Sequence, residues 1–113
     1  MKAITPVHLG DKGADVSNLH KALLFLIVHE SIEPSDIRII REQLAPEVAG
    51  EKFGSATEEL VRIYQHQLNT RTGLDIPKGL TPLVENDDVD QKTAKALNCD
   101  LRHLGGLRAA PKR

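Results

Sequence analysis

The sequence predicts an all-α fold, and three observations carry that expectation. Apolar residues recur at helical spacing in four separate stretches. Residues with capping chemistry stand at the head of those stretches. Glycine and proline punctuate the segments between them.

The first element follows a turn. Leu9-Gly10-Asp11-Lys12-Gly13 brackets an Asp-Lys pair with two glycines, which favours tight backbone geometry. Asp15 is then placed to cap a helix running to about His29, with Val16, Leu19, Leu23 and Ile27 on one face. Leu24, Phe25, Leu26 and Val28 are apolar as well, so the last two turns are expected to be covered on several sides, as in a central helix.

A second, shorter pattern opens at Ser35 and Asp36, with Ile37, Ile40 and Leu44 as its stripe. It is expected to be helical, to pack that stripe on the other helices, and to end before Pro46, which has no amide hydrogen for a helix to use. The third element is announced by Phe53-Gly54-Ser55-Ala56-Thr57-Glu58. Ser55 and Glu58 have capping-box spacing, so the helix is expected to begin at Ser55. Leu60, Val61, Tyr64 and Leu68 form its apolar stripe. Arg62, His66 and Asn69 point the other way by helical angle, and Thr72-Gly73 marks the end.

Leu74 to Val89 contains Pro77, Gly79, Pro82 and the acidic run Glu85-Asn86-Asp87-Asp88, which predicts an irregular or hairpin connection. Asp90 then caps a last helix striped by Ala94, Leu97 and Leu101. Residues 1–8 are assigned to an N-terminal extension, 9–104 to one helical domain and 105–113 to a flexible basic tail.

Composition narrows the partners. A chain of 113 residues suits one core. Fifteen Lys and Arg stand against 16 Asp and Glu, so no excess charge draws the chain to nucleic acid or an anionic membrane. The longest apolar run, Ala22 to Val28, is far short of the roughly 18 residues that membrane insertion needs. The N-terminal Met1-Lys2-Ala3-Ile4-Thr5-Pro6 has no secretory character. The expectation is a cytoplasmic protein if the chain is complete, or a secreted one if it belongs to something larger. Cys99 is the only cysteine and is read as a buried thiol near a helix end.

Three landmarks stand in order: Leu9-Gly10 with Gly13, Val16, Leu19 and Leu23; Phe53-Gly54 with Thr57, Tyr64 and Gln65; Val89-Asp90 with Thr93 and Leu97. In this the chain resembles the peptidoglycan-binding-like domain family over most of Leu9 to Asn98. The resemblance implies a three-helix bundle, here with an additional helix inserted between core helices one and two. It also implies binding of peptidoglycan, the bacterial cell-wall glycopeptide, without cleavage. Two connections, Glu30 to Glu51 and Asp75 to Asp88, are longer than the family pattern. The first is similar to modules embedded in large insecticidal toxin-complex subunits, which makes neighbouring protein domains the rival class of partner.

Chemistry beyond binding finds little support in the sequence. No Gly-x-Ser-x-Gly, paired Cys-His signature or phosphate loop is present, so catalysis is not expected. His8, His20, His29, His66 and His103 form no metal-ligand spacing and are read as surface or interface residues, with no metal or cofactor expected. Asp87, Asp88 and Asp90 lack the glycine and glutamate of a calcium loop, so capping and solvated charge account for them. Phe25, Phe53 and Tyr64, the only aromatic residues, all sit at core-patterned positions, which argues against sugar stacking.

A ligand would therefore have to meet polar groups on the third helical pattern: Arg62, Asn69, Gln65 between them and the core, and Arg71 at the end, whose guanidinium suits the carboxylates of a peptide stem. Against that stands a solvated helix face, with Gln65 serving neighbouring loop backbone instead.

Overall fold

The computed structural model describes residues 2–29, 37–70, 86 and 88–105. Within them the regular structure is helical: α1 (Ala14–Val28), α2 (Ile37–Gly50), α3 (Ser55–Thr70) and α4 (Gln91–Leu104). The second pattern is thus a helix, α2, lying between α1 and α3 in the chain. It packs on α3, while α1 packs on α4.

The expected stripes face inward. Val16, Leu19, Leu23 and Ile27 of α1, Leu60, Val61, Tyr64 and Leu68 of α3, and Ala94, Leu97 and Leu101 of α4 are all buried in one cluster. A fully buried leucine of this kind contributes about 1.5–3 kcal/mol through water exclusion. One expectation for α1 changes. Its cap position is held by Gly13, whose φ of 115° is open to glycine, and Asp15 lies inside the first turn. There its charge complements the helix dipole rather than capping a donor. At the other end Leu23, Leu26 and Ile27 are buried and Leu24 and Phe25 pack partly against the core, while Val28 is 66% exposed.

Helix α2 runs through Pro46 to Gly50 instead of stopping before it. The proline has no amide hydrogen to give the Glu42 carbonyl, and both residues lie on the exposed face of the helix, where losing that bond costs least. Ile40 and Leu44 are buried beneath. The Ser35-Asp36 start and the side chain of Ile37 lie outside the described residues, as do the Thr72-Gly73 stop, most of the connection before Asp88 and the tail after Gly105.

The turn after α2 ties two helix entries together. Glu51 adopts φ 51°, the left-handed conformation that ends helices and that glycine usually supplies. Its carbonyl accepts from Gly13 N (2.9 Å), while Gly10 N donates to Phe53 O and Phe53 N to Asp11 O, each at 2.9 Å. Phe53 is buried at this crossing.

Residues before Leu9, assigned from sequence to an extension, form a strap on the bundle. Ile4 and Val7 enter the core. Val7 and Val89 exchange backbone hydrogen bonds at 3.1 Å. Asn98 clamps Ile4 from both sides, its Oδ1 accepting from Ile4 N (2.6 Å) and its Nδ2 donating to Ile4 O (3.0 Å). No helix among the described residues is long and apolar enough to cross a membrane.

Candidate functional site

Every polar side chain inside this bundle has to be matched or it costs free energy. Tyr64 is buried, and its hydroxyl donates to Asp100 Oδ2 at 2.7 Å. Gln65 is also buried. Its Nε2 donates toward Asp88 O (2.8 Å), Thr93 Oγ1 (3.0 Å) and Asn86 Oδ1 (3.2 Å), joining α3 to the approach of α4.

That placement alters the expected binding face. Gln65 faces inward and serves loop backbone, so it cannot share a solvent surface with Arg62. Arg62 is exposed and donates to Glu59 Oε1 (3.0 Å), one turn back. Asn69 is half-buried near the end of α3, and Arg71 lies outside the described residues. The described part of this quartet forms no single accessible face, because helical angle alone cannot tell a stripe's edge from its interior.

A second polar junction was not foreseen. His20, on α1, is 1% exposed. Its Nε2 lies 2.8 Å from Thr57 Oγ1, which in turn donates to Glu47 Oε1 at 2.6 Å. Glu47 comes from α2, and its carboxylate also accepts from Gly54 N (3.0 Å), Ala56 N (2.8 Å) and Thr57 N (2.8 Å). These are amides that the start of α3 leaves without intrahelical partners. Burial pushes the Glu47 carboxyl up, but the hydrogen bonds from Thr57, Ala56 and Gly54 outweigh it and hold it below the usual range.

A signal for His20 existed in the spacing. Val16, His20, Leu23 and Ile27 follow one another at intervals of four, three and four, so His20 lies on the buried stripe itself. Glu47 carried no such signal, since its partners depend on where α2 ends up.

The three groups resemble the ingredients of a hydrolytic triad, but their order differs. A triad needs the imidazole between hydroxyl and carboxylate, with the hydroxyl exposed to substrate. Here Thr57 stands in the middle, gives its proton to Glu47, and is fully buried. The arrangement fastens helices.

At the surface, the strap, α1 and the turn after α2 enclose an open cleft of about 420 Å³, lined by Lys2, Ala14, Ser17, Asn18, Lys21 and Glu51. Asn18 fixes one wall: its Oδ1 accepts from Lys2 N (3.0 Å) and its Nδ2 donates to Lys2 O (2.8 Å). Neither lysine has an ion-pair partner among the described residues. Two ammonium groups, a hydroxyl and one carboxylate suit a ligand bearing carboxylates and amides.

Among the described residues no three His, Cys, Asp or Glu side chains gather as metal ligands. Asp90 caps α4, Asp88 pairs with His8, and Cys99 is half-buried in α4. Compared with known proteins, the chain matches no family model, no curated protein and no solved structure.

Proposed function

We propose that this chain is a non-catalytic binding module for bacterial cell-wall glycopeptide, holding peptide-stem carboxylates in the cleft between the strap and α1. The observation that carries the reading is the pair of ammonium groups, Lys2 and Lys21, that have no ion-pair partner among the described residues and line one cleft whose wall is pinned by Asn18. The ordered landmarks of the sequence resemblance support the glycopeptide class, and their residues Phe53, Thr57, Tyr64, Gln65, Thr93 and Leu97 all lie buried together in the bundle. The non-catalytic part is supported by the burial of Thr57 and the order of its partners.

Retention on purified sacculi tests the reading. The parent chain should be retained. Lys2→Ala with Lys21→Ala should lose several-fold in retention with little change in thermal midpoint, as exposed lysines contribute little to folding. Arg62→Ala with Asn69→Ala should behave as the parent. A parent chain that passes through sacculi unretained sinks the proposal.

One observation favours a second reading, a docking module for neighbouring protein domains: Leu9, Val28 and Ile39 are large, apolar and 59%, 66% and 49% exposed. Co-purification of a partner that Val28→Ser and Ile39→Ser release, with no retention on sacculi, would decide for it.

A further inference from the structure

We infer that His20, Thr57 and Glu47 form an acid-sensitive latch between α1, α2 and α3, which opens the α2–α3 junction when His20 takes up a proton. The proton positions follow from counting. Thr57 has one hydroxyl proton and gives it to Glu47, so His20 Nε2 must be the donor to Thr57 Oγ1. Nε2 carries a proton in the neutral ring and in the imidazolium alike, so the two forms differ only at Nδ1. That atom is buried and has no hydrogen-bond partner among the described residues.

Protonation places a full charge and a new N–H at this position. Glu47 of α2 is the charged side chain that faces the ring, and it favours the imidazolium, as does the Lys52 backbone in the turn. From α3 the ring meets the uncharged Thr57. Burial opposes the charge and prevails, holding His20 below its ordinary value of 6.5. The neutral ring is therefore the form that the closed bundle binds.

Opening the junction gives the imidazolium access to water and to the Glu47 carboxylate. Glu47 is only half-buried, and Pro46, Val48, Ala49 and Gly50 around it are exposed, so the C-terminal turn of α2 can lift without unpacking Leu44. A Glu47 that turns to His20 releases the amides of Gly54, Ala56 and Thr57. Glu51, four residues on, lines the cleft and holds Gly13 N, so the movement reaches a cleft wall. The latch itself is independent of what the cleft binds.

The sign is fixed by linkage. A histidine whose folded value is depressed contributes stability that is complete above its unfolded value of about 6.5 and declines as pH falls below it. Glu47 is held below the usual carboxylate range, so it stays ionised through the window from about pH 7.5 to 5. Within the latch, the response in that window belongs to the imidazole.

Amide hydrogen exchange on the full chain, corrected for intrinsic pH dependence, reads the latch directly. Protection at Gly54, Ala56 and Thr57 should fall about threefold or more between about pH 7.5 and 5, while Thr93, capped by Asp90, keeps its protection. His20→Gln keeps a side-chain N–H donor for Thr57 but cannot titrate, and should make protection at the three amides independent of pH. A His20→Gln chain that retains the parent's response overturns the inference. So does an NMR titration of His20 in the parent with a midpoint at or above about 6.5, a measurement that needs no variant.

Discussion

Helices α3 and α4 begin with the same need and meet it in opposite ways. At α4 the cap is local: Asp90 immediately precedes the helix, and its Oδ1 accepts from Thr93 N at 2.8 Å. At α3 the cap position falls to Gly54, whose carbonyl receives Glu58 N (2.9 Å) but which has no side chain to offer. Glu47 reaches across from α2 and takes the amides of Gly54, Ala56 and Thr57 together with the Thr57 hydroxyl. A local cap secures its own helix, whereas a cap lent by another helix also secures the lender. Helix α2 is thereby fastened to the bundle by its own carboxylate as well as by Ile40 and Leu44.

The comparison is tested most severely at Glu47. Glu47→Ala strands several N–H donors at the head of α3 and should cost about 2–3 kcal/mol in denaturant unfolding, since hydrogen bonds to charged groups are worth about 1.5–3 kcal/mol. Gly54→Ala attacks the same contact from the other side. A Cβ on Gly54 would meet the Glu47 carboxylate carbon at 2.7 Å, forcing the carboxylate away, and should cost about 1–2 kcal/mol by strain and lost bonds. In a Glu47→Ala background that cost should shrink to a few tenths of a kcal/mol, because the obstructing group is gone. Additive costs in the double variant would show that Glu47 and Gly54 do not act through one contact.

The same contrast explains what the sequence disclosed. Asp90 and Thr93 are three residues apart, so their cap could be inferred from spacing. The stripes of α1, α3 and α4 were legible for the same reason, being periodic within one helix. Ser55 and Glu58 carry capping-box spacing, yet Ser55 is the first helical residue and stands one position too late to cap. The true cap comes from seven to ten residues upstream of its partners, after a helix that passes through Pro46, and no local rule reaches that far. The strap was hidden because Ile4 and Val7 are too few to make a pattern, and their partners Asn98 and Val89 lie at the far end of the chain. The cleft was hidden for the same reason, since Lys2, Lys21 and Glu51 come from three separate elements.

A smaller effect is expected at the local cap. Asp90→Ala should cost about 1 kcal/mol, the usual value for a lost N-cap. It shares no hydrogen-bond partner with Glu47, so its cost should add to that of Glu47→Ala within about 0.5 kcal/mol. A large coupling measured between the two would mean that the start of α4 also depends on α2, and the distinction between local and lent caps would fail.

The smallest effect separates the two ends of the bundle by pH. His8, on the strap, is exposed, and its Nδ1 lies 2.7 Å from both carboxylate oxygens of Asp88. That hydrogen bond, followed by the charge of Asp88, raises its value above the ordinary 6.5, with burial opposing weakly and Asp11 and Asp90 adding to the rise. A raised histidine contributes stability that is complete below its unfolded value of about 6.5 and is lost as pH climbs through the folded value. His20 has the opposite sign, so the two histidines partly cancel in the parent's acid profile. His8→Gln removes one side of that balance. The thermal midpoint of the variant should fall below the parent's at about pH 5.5 and converge with it at about pH 8.5, where the imidazole is neutral in either state. Solvent screening keeps the difference small, and it should shrink further in about 1 M salt, where the Debye length falls to roughly 3 Å. A midpoint difference that widens toward high pH would reverse the sign and remove the ion pair as a fastening of the strap.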